Sequence, residues 1–425
     1  MGALDGITIL RYGHVYDSGG GIERYLADLN RTLHGRSDFT TIQIQLTSDS
    51  NRVGESDEGP VKRLSLFVSR KSHEEAVSGT PRETALARIK SWGWDYFLSS
   101  RWIYPIFTRP VLAVRSIERR AGEPDGAGAA VLRMHRRHPL NLICLHSAGG
   151  ADVSEILAVA RAERIPAVYV HHFSNDRLSS FSIRSQLLHV REVAGVCSVD
   201  VPRYVRGRMR SVLDGVDTDF FSRSAVFSPA APSADPIILL PARMTPAKGQ
   251  AELLRAAGGL KRQGLRFSIV LAGRTDSSDY LAALDRIIVE EDLGGWVSIV
   301  GELPPEALRE MYTKASMVAL PTRHHEGLPR ILLECQSMET PPVVFDIGGT
   351  REGVKDAETG FLVKPGNQAA FADKLRMLLT DAGLRQRMGR AGRRWIEDRF
   401  SLQALADRHE QLYARVLLGV SDSRS

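Results

Sequence analysis

Short apolar runs alternate with amphipathic stretches along most of the chain, and that alternation predicts parallel sheets wrapped by helices. In the first half, strand-like runs fall near 7–11, 41–46, 141–145, 167–171 and 194–198. In the second half they fall near 237–240, 268–272, 297–300, 317–320, 342–345 and 361–363. Helical periodicity between them predicts helices over 22–33, 250–260, 278–290 and 305–314, and a last one over about 402–417. Residues 222–236, rich in Ser, Ala and Pro and without period, read as a linker. The expected fold class is α/β, with two doubly wound Rossmann-like domains facing a central cleft. Their bounds would be 1–212 and 237–399, joined by a linker at 213–236. Strand carboxyl ends would face the cleft, where such sheets bind ligands.

Length agrees, since 425 residues exceed one ordinary core. A hydrophobic share of 43% and a charged share of 25% are those of a soluble globular protein. No run of eighteen apolar residues predicts a membrane-spanning helix. The start, from Met1 to Leu10, lacks a basic leader and reads as a first strand, and Gly6 stands where a myristoylation signal needs Ser or Thr. Cys144, Cys197 and Cys335 are widely separated, form neither a disulfide nor a metal pattern, and suit a reducing compartment. A cytoplasmic protein is expected.

The net charge of +6 is unevenly placed. Segment 88–137 carries 10 basic against 4 acidic residues and interleaves them with Trp92, Trp94, Tyr96, Phe97, Trp102, Tyr104 and Phe107. That mixture suits an anionic membrane surface, which would place the protein peripherally on the inner face of the plasma membrane. A basic nucleic-acid-binding protein is the rival class at pI 9.3, but no recognition motif occurs and the excess charge is confined to one segment.

The most informative stretch is His325-Glu326-Gly327-Leu328-Pro329-Arg330-Ile331-Leu332-Leu333-Glu334. A strand-like run, Met317 to Leu320, leads through a polar loop to a proline at the expected first position of a helix, where its missing N–H needs no partner. Gly327 and Leu328 would then lie just before a helix N-terminus, whose free N–H groups and dipole attract phosphate. Glu326 at the loop and Glu334 within the helix could each accept hydrogen bonds from hydroxyls at opposite ends of a ligand. A sugar–diphosphate–nucleoside has that layout.

This Glu-x7-Glu stretch resembles the retaining glycosyltransferases of family 4. The blocks on either side carry the resemblance further. Before it comes Leu240-Pro241-Ala242-Arg243-Met244-Thr245-Pro246-Ala247-Lys248-Gly249; after it come Pro341 to Glu352 and Thr359 to Gly366. The resemblance is strong over about residues 200 to 400 and weak before. It implies the GT-B arrangement, a last helix at about 400–418 packing back on the first domain, and transfer of a sugar from a nucleotide-sugar donor, a UDP- or GDP-sugar, with retention of configuration. It further implies an acceptor such as a lipid-linked glycan of a bacterial surface polysaccharide. A nucleotide-sugar epimerase or a phosphorylase on the same fold is the alternative, although no lysine for pyridoxal phosphate can be identified.

Residue by residue, the resemblance puts Arg243 and Lys248 at the donor diphosphate, where fixed cations stabilise a leaving phosphate. Glu326 would orient the donor sugar and Glu334 the nucleotide ribose. Gly20 and Gly21, in the turn after the first strand, and Gly327 and Leu328 would approach the donor. His172 would be the active-site histidine, with a one-residue slip favouring His171 and with His146 a weaker candidate. Asp217-Thr218-Asp219 looks like the metal-binding motif of a different fold but falls in the segment before the linker and reads as structural. Neither a metal nor another cofactor is expected, and no nucleic-acid partner.

Overall fold

Residues 4–12, 21–47, 54–58, 61–67, 126–146, 148, 150–172, 181–198, 201–206, 208–225, 235–275 and 277–418 are described by a computed structural model. The first sheet holds β1 (Thr8–Tyr12), β2 (Thr40–Thr47), β3 (Gly54–Glu58), β4 (Val61–Phe67), β5 (Leu142–Leu145), β6 (Ala167–His171), β7 (Glu192–Gly195) and β8 (Met209–Ser211). Their order is β3-β4-β2-β1-β5-β6-β7-β8, parallel except where β3 meets β4. The second sheet holds β9 (Ile237–Pro241), β10 (Ser268–Ala272), β11 (Val297–Gly301), β12 (Met317–Leu320), β13 (Pro342–Phe345) and β14 (Phe361–Val363). Its order is β11-β10-β9-β12-β13-β14. Each sheet starts in its middle, winds outward and returns to the other side, which leaves a crevice at the reversal. These are the two Rossmann-like sheets expected for GT-B.

Every predicted strand is present, with the run at 194–198 displaced to Glu192–Gly195. The strands β3, β4 and β8 were not foreseen. Gly54–Glu58 reads GESDE, polar throughout, and so offers no apolar run to announce a strand. β8 spans three residues, none of them buried, and offers no apolar run.

Helix ends follow local chemistry. Ser277 caps the helix Ser278–Glu290 by accepting the Tyr280 N–H at 3.2 Å, and Pro305 opens the helix Pro305–Lys314. The first helix, Gly21–His34, turns Tyr25, Leu26, Leu29 and Leu33 inward at helical spacing.

The helix Leu402–Leu418 crosses back to the first sheet. Its Leu405, Ala406, Leu412, Tyr413 and Val416 share one buried cluster with Ile9, Tyr25, Leu29, Cys144 and Val170. Each fully buried large apolar side chain contributes about 1.5–3 kcal/mol, so this face alone fixes the helix. Polar ties lie at its edges: Arg191 Nη1 donates to the Val416 carbonyl at 2.9 Å, and Arg415 Nε to Glu192 Oε1 at 3.1 Å. His409 sits in the middle of the same buried face, a polar group where an apolar one would be ordinary.

No helix among the described residues is long and apolar enough to cross a membrane. Gly20 and the aromatic and basic part of segment 88–137 up to residue 125 lie outside the described residues; only the helix Ala127–Arg137 of that segment lies within them.

Candidate active site

On the second-domain wall, β9 ends at Pro241 and a 3-10 turn, Pro246–Lys248, follows. Gly249 has φ +83°, and a Cβ there would lie 2.1 Å from the Pro321 carbonyl oxygen. Only glycine lets this turn lie against the end of β12. The approach delivers Lys248, whose Nζ donates to Glu326 Oε2 at 2.7 Å, both side chains about one-sixth exposed. Glu326 Oε1 lies 3.0 Å from the hydroxyl of the fully buried Thr322, and the Gly349 N–H donates to the Glu326 carbonyl at 3.0 Å. Backbone and both carboxylate oxygens are therefore held. Arg243 is exposed and makes no ion pair with a described residue, while its carbonyl accepts from Gln250 Nε2 at 2.9 Å. A fixed carboxylate beside a fixed ammonium can accept from a hydroxyl and neutralise a phosphate at neighbouring points.

The helix Arg330–Ser337 begins one residue later than expected, with Pro329 as its capping residue. Glu334 is 3% exposed, accepts from the Tyr312 hydroxyl at 3.0 Å, and has Arg24 of the first domain 3.8 Å from Oε1. Arg330 reaches the first domain too, with Nη2 2.7 Å from Asp28 Oδ2, while its Nη1 lies 3.1 Å from Oδ1 of Asp214 at the start of the linker. Burial opposes its charge, yet Asp214, Asp28 and Glu334 together raise its pKa. Burial also pushes the Asp214 carboxyl up to about 6 despite Arg330. Glu326 and Glu334 thus keep different company: one is held within its own domain, the other meets the opposite one.

The first-domain wall is formed at the end of β6. A Cβ on Gly327 would lie 2.5 Å from the His172 carbonyl oxygen, so the two domains touch backbone to side-chain-free backbone. Of the two candidate histidines, His171 is 1% exposed and its Nδ1 pairs with the Tyr169 hydroxyl at 2.8 Å. His172 is the half-buried one beside Gly327. Its Nε2 lies 2.8 Å from His146 Nδ1, and the Tyr25 ring packs edge-on at 4.6 Å. Burial, helped by His171, pushes the His172 pKa down to about 3, so the ring is neutral at physiological pH. A second bridge joins the domains where the Ser198 N–H and hydroxyl each donate to Glu352 at 2.6 Å.

Gly21 opens the first helix. Asp217 is committed locally, accepting from Asp219 N at 3.2 Å and Phe220 N at 2.9 Å and pairing with Arg31 at 3.2 Å. No group of three His, Cys, Asp or Glu placed to hold a metal occurs among the described residues. Sequence reasoning did not single out Thr322, Arg24, Asp28, Arg330 or the Ser198–Glu352 bridge. Arg330 and Glu352 lay within quoted blocks and Thr322 only four residues before Glu326, so these had a local signal; Arg24, Asp28 and the Ser198–Glu352 pairing depend on contacts between distant segments.

Residues 222–395 match the model of the glycosyl transferases group 1. Alpha-D-kanosaminyltransferase of Streptomyces kanamyceticus is 30% identical over 43% of this chain and 46% of its own. A GDP-mannose-dependent alpha-(1-6)-phosphatidylinositol monomannoside mannosyltransferase of Mycolicibacterium smegmatis is 28% identical over 50% of this chain and 60% of its own. The matched part thus spans about half the length of these curated relatives. Sucrose-phosphate synthase of Thermosynechococcus elongatus superposes with a TM-score of 0.69 at 17% identity, over 97% of this chain and 100% of its own, a likeness of fold. Residues 222–395 are thus similar to the glycosyl transferases group 1, and the chain as a whole has a GT-B fold.

Proposed function

We propose that the chain is a glycosyltransferase that moves a sugar from a nucleotide-sugar donor to an acceptor hydroxyl with retention of configuration. The observation that carries this reading is the Lys248–Glu326 pair at 2.7 Å, just ahead of the helix Arg330–Ser337. In the proposed complex the diphosphate takes Lys248 and Arg243 as counter-charges, and Glu326, released from Lys248, accepts from the donor sugar hydroxyls. Glu334 accepts from the ribose once Arg24, whose side chain is 44% exposed, swings off its carboxylate. The bond from the sugar's anomeric carbon to the diphosphate oxygen breaks as the acceptor oxygen approaches on the same face. The acceptor proton passes to the departing phosphate. Charge grows on that phosphate in the transition state, which is where Arg243 and Lys248 act most strongly. His172, neutral with its pKa near 3, orients by hydrogen bonding and does not exchange protons.

Retention and the donor class are supported by the mannosyltransferase relative, whose name gives GDP-mannose as donor and an α linkage as product. GDP-mannose is itself an α-glycosyl phosphate, so that protein's outcome is retention. The acceptor proposed here is a lipid-linked glycan of a bacterial surface polysaccharide, with segment 88–137 docking on anionic membrane.

Thermal denaturation with UDP, GDP, ADP and their sugars tests the reading. A ligand at about a hundred times its dissociation constant adds roughly 2.7 kcal/mol to the folded state. One base, with and without its sugar, should raise the melting temperature. No shift with any of them would remove the nucleotide-sugar donor.

A further inference from the structure

His172 ends a chain of buried hydrogen bonds that glycosyl transfer alone does not require. Its Nε2 lies 2.8 Å from His146 Nδ1, His146 Nε2 lies 3.3 Å from Cys144 Sγ, and that sulfur lies 3.7 Å from the Tyr413 hydroxyl. Tyr413 is pinned in turn by Arg11, whose Nη1 donates to its oxygen at 2.6 Å, and by His409, whose Nδ1 lies 2.8 Å away. Arg11, Cys144, His146, His409 and Tyr413 are all fully buried. Polar groups thus run from the C-terminal helix through an apolar core to the cleft.

The direction of the protons in this chain follows from the groups themselves. A neutral imidazole has one N–H and one lone pair, so either His146 or His172 must donate to the other. Burial and the Arg11 cation both disfavour a second positive charge at His146. A thiol is a weak acceptor, whereas an imidazole nitrogen is a strong one. Burial keeps the Cys144 thiol protonated; the Tyr413 oxygen already accepts from Arg11 and is a poorer and more distant acceptor than His146 Nε2, so the thiol proton goes to His146. That places the His146 proton on Nδ1, where it donates to His172 Nε2. The His172 proton is then left on Nδ1. The reverse arrangement would spend an imidazole N–H on sulfur.

We propose that Cys144 and His146 are positioning residues that fix His172 as its Nδ1–H tautomer, so that it meets the donor sugar as a hydrogen-bond donor. The use of that N–H rests on the glycosyl transfer proposed above; the tautomer itself does not.

Nitrogen NMR on the full chain with 15N-labelled histidine, without ligand, reads the tautomer directly. His172 is assigned by its loss in His172→Gln. Wild type should show a pyrrole-like Nδ1 and a pyridine-like Nε2 on His172, unchanged across about pH 6–8, the range where an ordinary histidine titrates. Cys144→Ala removes the donor and should populate both tautomers, and Cys144→Ser, whose hydroxyl donates the same way, should restore one. A pyridine-like Nδ1 in wild type overturns the proposal even if Cys144→Ala fails to fold. A folded Cys144→Ala with an unchanged spectrum overturns it too. Scrambled tautomers with wild-type turnover would leave the relay standing and sink the contact between His172 and the sugar.

Discussion

The two walls of the cleft are built from opposite materials. The second-domain wall is charged: Lys248 and Glu326 pair at 2.7 Å with side chains about one-sixth exposed. At the end of β6 the first-domain wall is neutral: His172 is bonded back into histidine, thiol and hydroxyl groups, and burial pushes its pKa down to about 3. The charges of that domain lie apart from it, with Arg24 and Asp28 meeting Glu334 and Arg330 and the Arg11 cation held behind Tyr413. Ions close to water cost less desolvation than ions buried in a core, so charge is placed where a ligand's charge must be met. Neutral dipoles tolerate burial once hydrogen-bonded, and burial holds them rigid. The proposed function uses that difference, giving charge stabilisation to one domain and orientation to the other.

Breaking the charged wall should have the largest effect. Lys248→Ala and Arg243→Ala should each lower turnover by roughly 100-fold or more, since one lost charge-stabilising donor costs about 2.7–4 kcal/mol, and Glu326→Ala, which removes the acceptor for the sugar hydroxyls, should lower it too. Melting temperatures should stay near wild type. Near-normal turnover in the Arg243→Ala, Lys248→Ala double variant would remove the leaving-group role. A loss in His172→Ala as large as in Lys248→Ala would erase the division of labour.

The contact between the walls comes next. Gly327→Ala drives a methyl toward the His172 carbonyl and should cost about 1–3 kcal/mol of overpacking in urea unfolding. Gly294→Ala, with no atom within 4 Å of the new Cβ, is the control and should be neutral or stabilising. Equal behaviour of the two would mean that the domains do not meet at Gly327.

Acid should expose the neutral wall. Burial lowers the pKa values of His146, His172 and His409 below the ordinary 6.5, so the unfolded chain takes up protons first as pH falls. Their stabilising contribution is complete above 6.5 and is lost on the way down to the folded-state values, about 3 for His172. Asp214, pushed up to about 6, and Asp152, also raised by burial, work the other way and gain stability as pH falls toward 3.8, but they are two groups against four, because burial lowers His34 as well. The melting temperature should therefore drop between about pH 7 and 4, and His409→Gln should flatten the drop. A rise in that window would contradict the neutral assignment.

The smallest expected effect is that of EDTA, which should leave turnover unchanged. Both Asp217 oxygens are engaged, by a turn and by Arg31, and in the proposed complex Arg243 and Lys248 take the diphosphate's charge. Activity lost to EDTA and restored by Mg²⁺ or Mn²⁺ would make Asp217 and Asp219 ligands.

How much of this the sequence shows differs between the same two regions. Strands buried on both faces, such as Ile237–Pro241 and Met317–Leu320, appear as apolar runs, and Ser277 and Pro305 mark helix starts with local chemistry. Lys248 and Glu326 belong to two quoted motif blocks, so their residues were visible although their ion pair was not. On the other wall, Arg11 and Tyr413 are 402 positions apart, and Arg24 meets Glu334 across the domains. Such pairs leave no periodic or local trace. His409 looks from sequence like a stray polar residue on an apolar helix face. It gains meaning only when Tyr25 and Tyr413 close around it.

The most direct test is titration calorimetry of a nucleoside diphosphate and its sugar conjugate against wild type, Lys248→Ala and Glu326→Ala. Lys248→Ala should weaken both ligands, because both carry the diphosphate. Glu326→Ala should weaken only the sugar conjugate, because the free diphosphate has no sugar hydroxyl for Glu326 to accept from. Both ligands binding both variants as tightly as wild type would contradict a donor seated between Lys248 and Glu326.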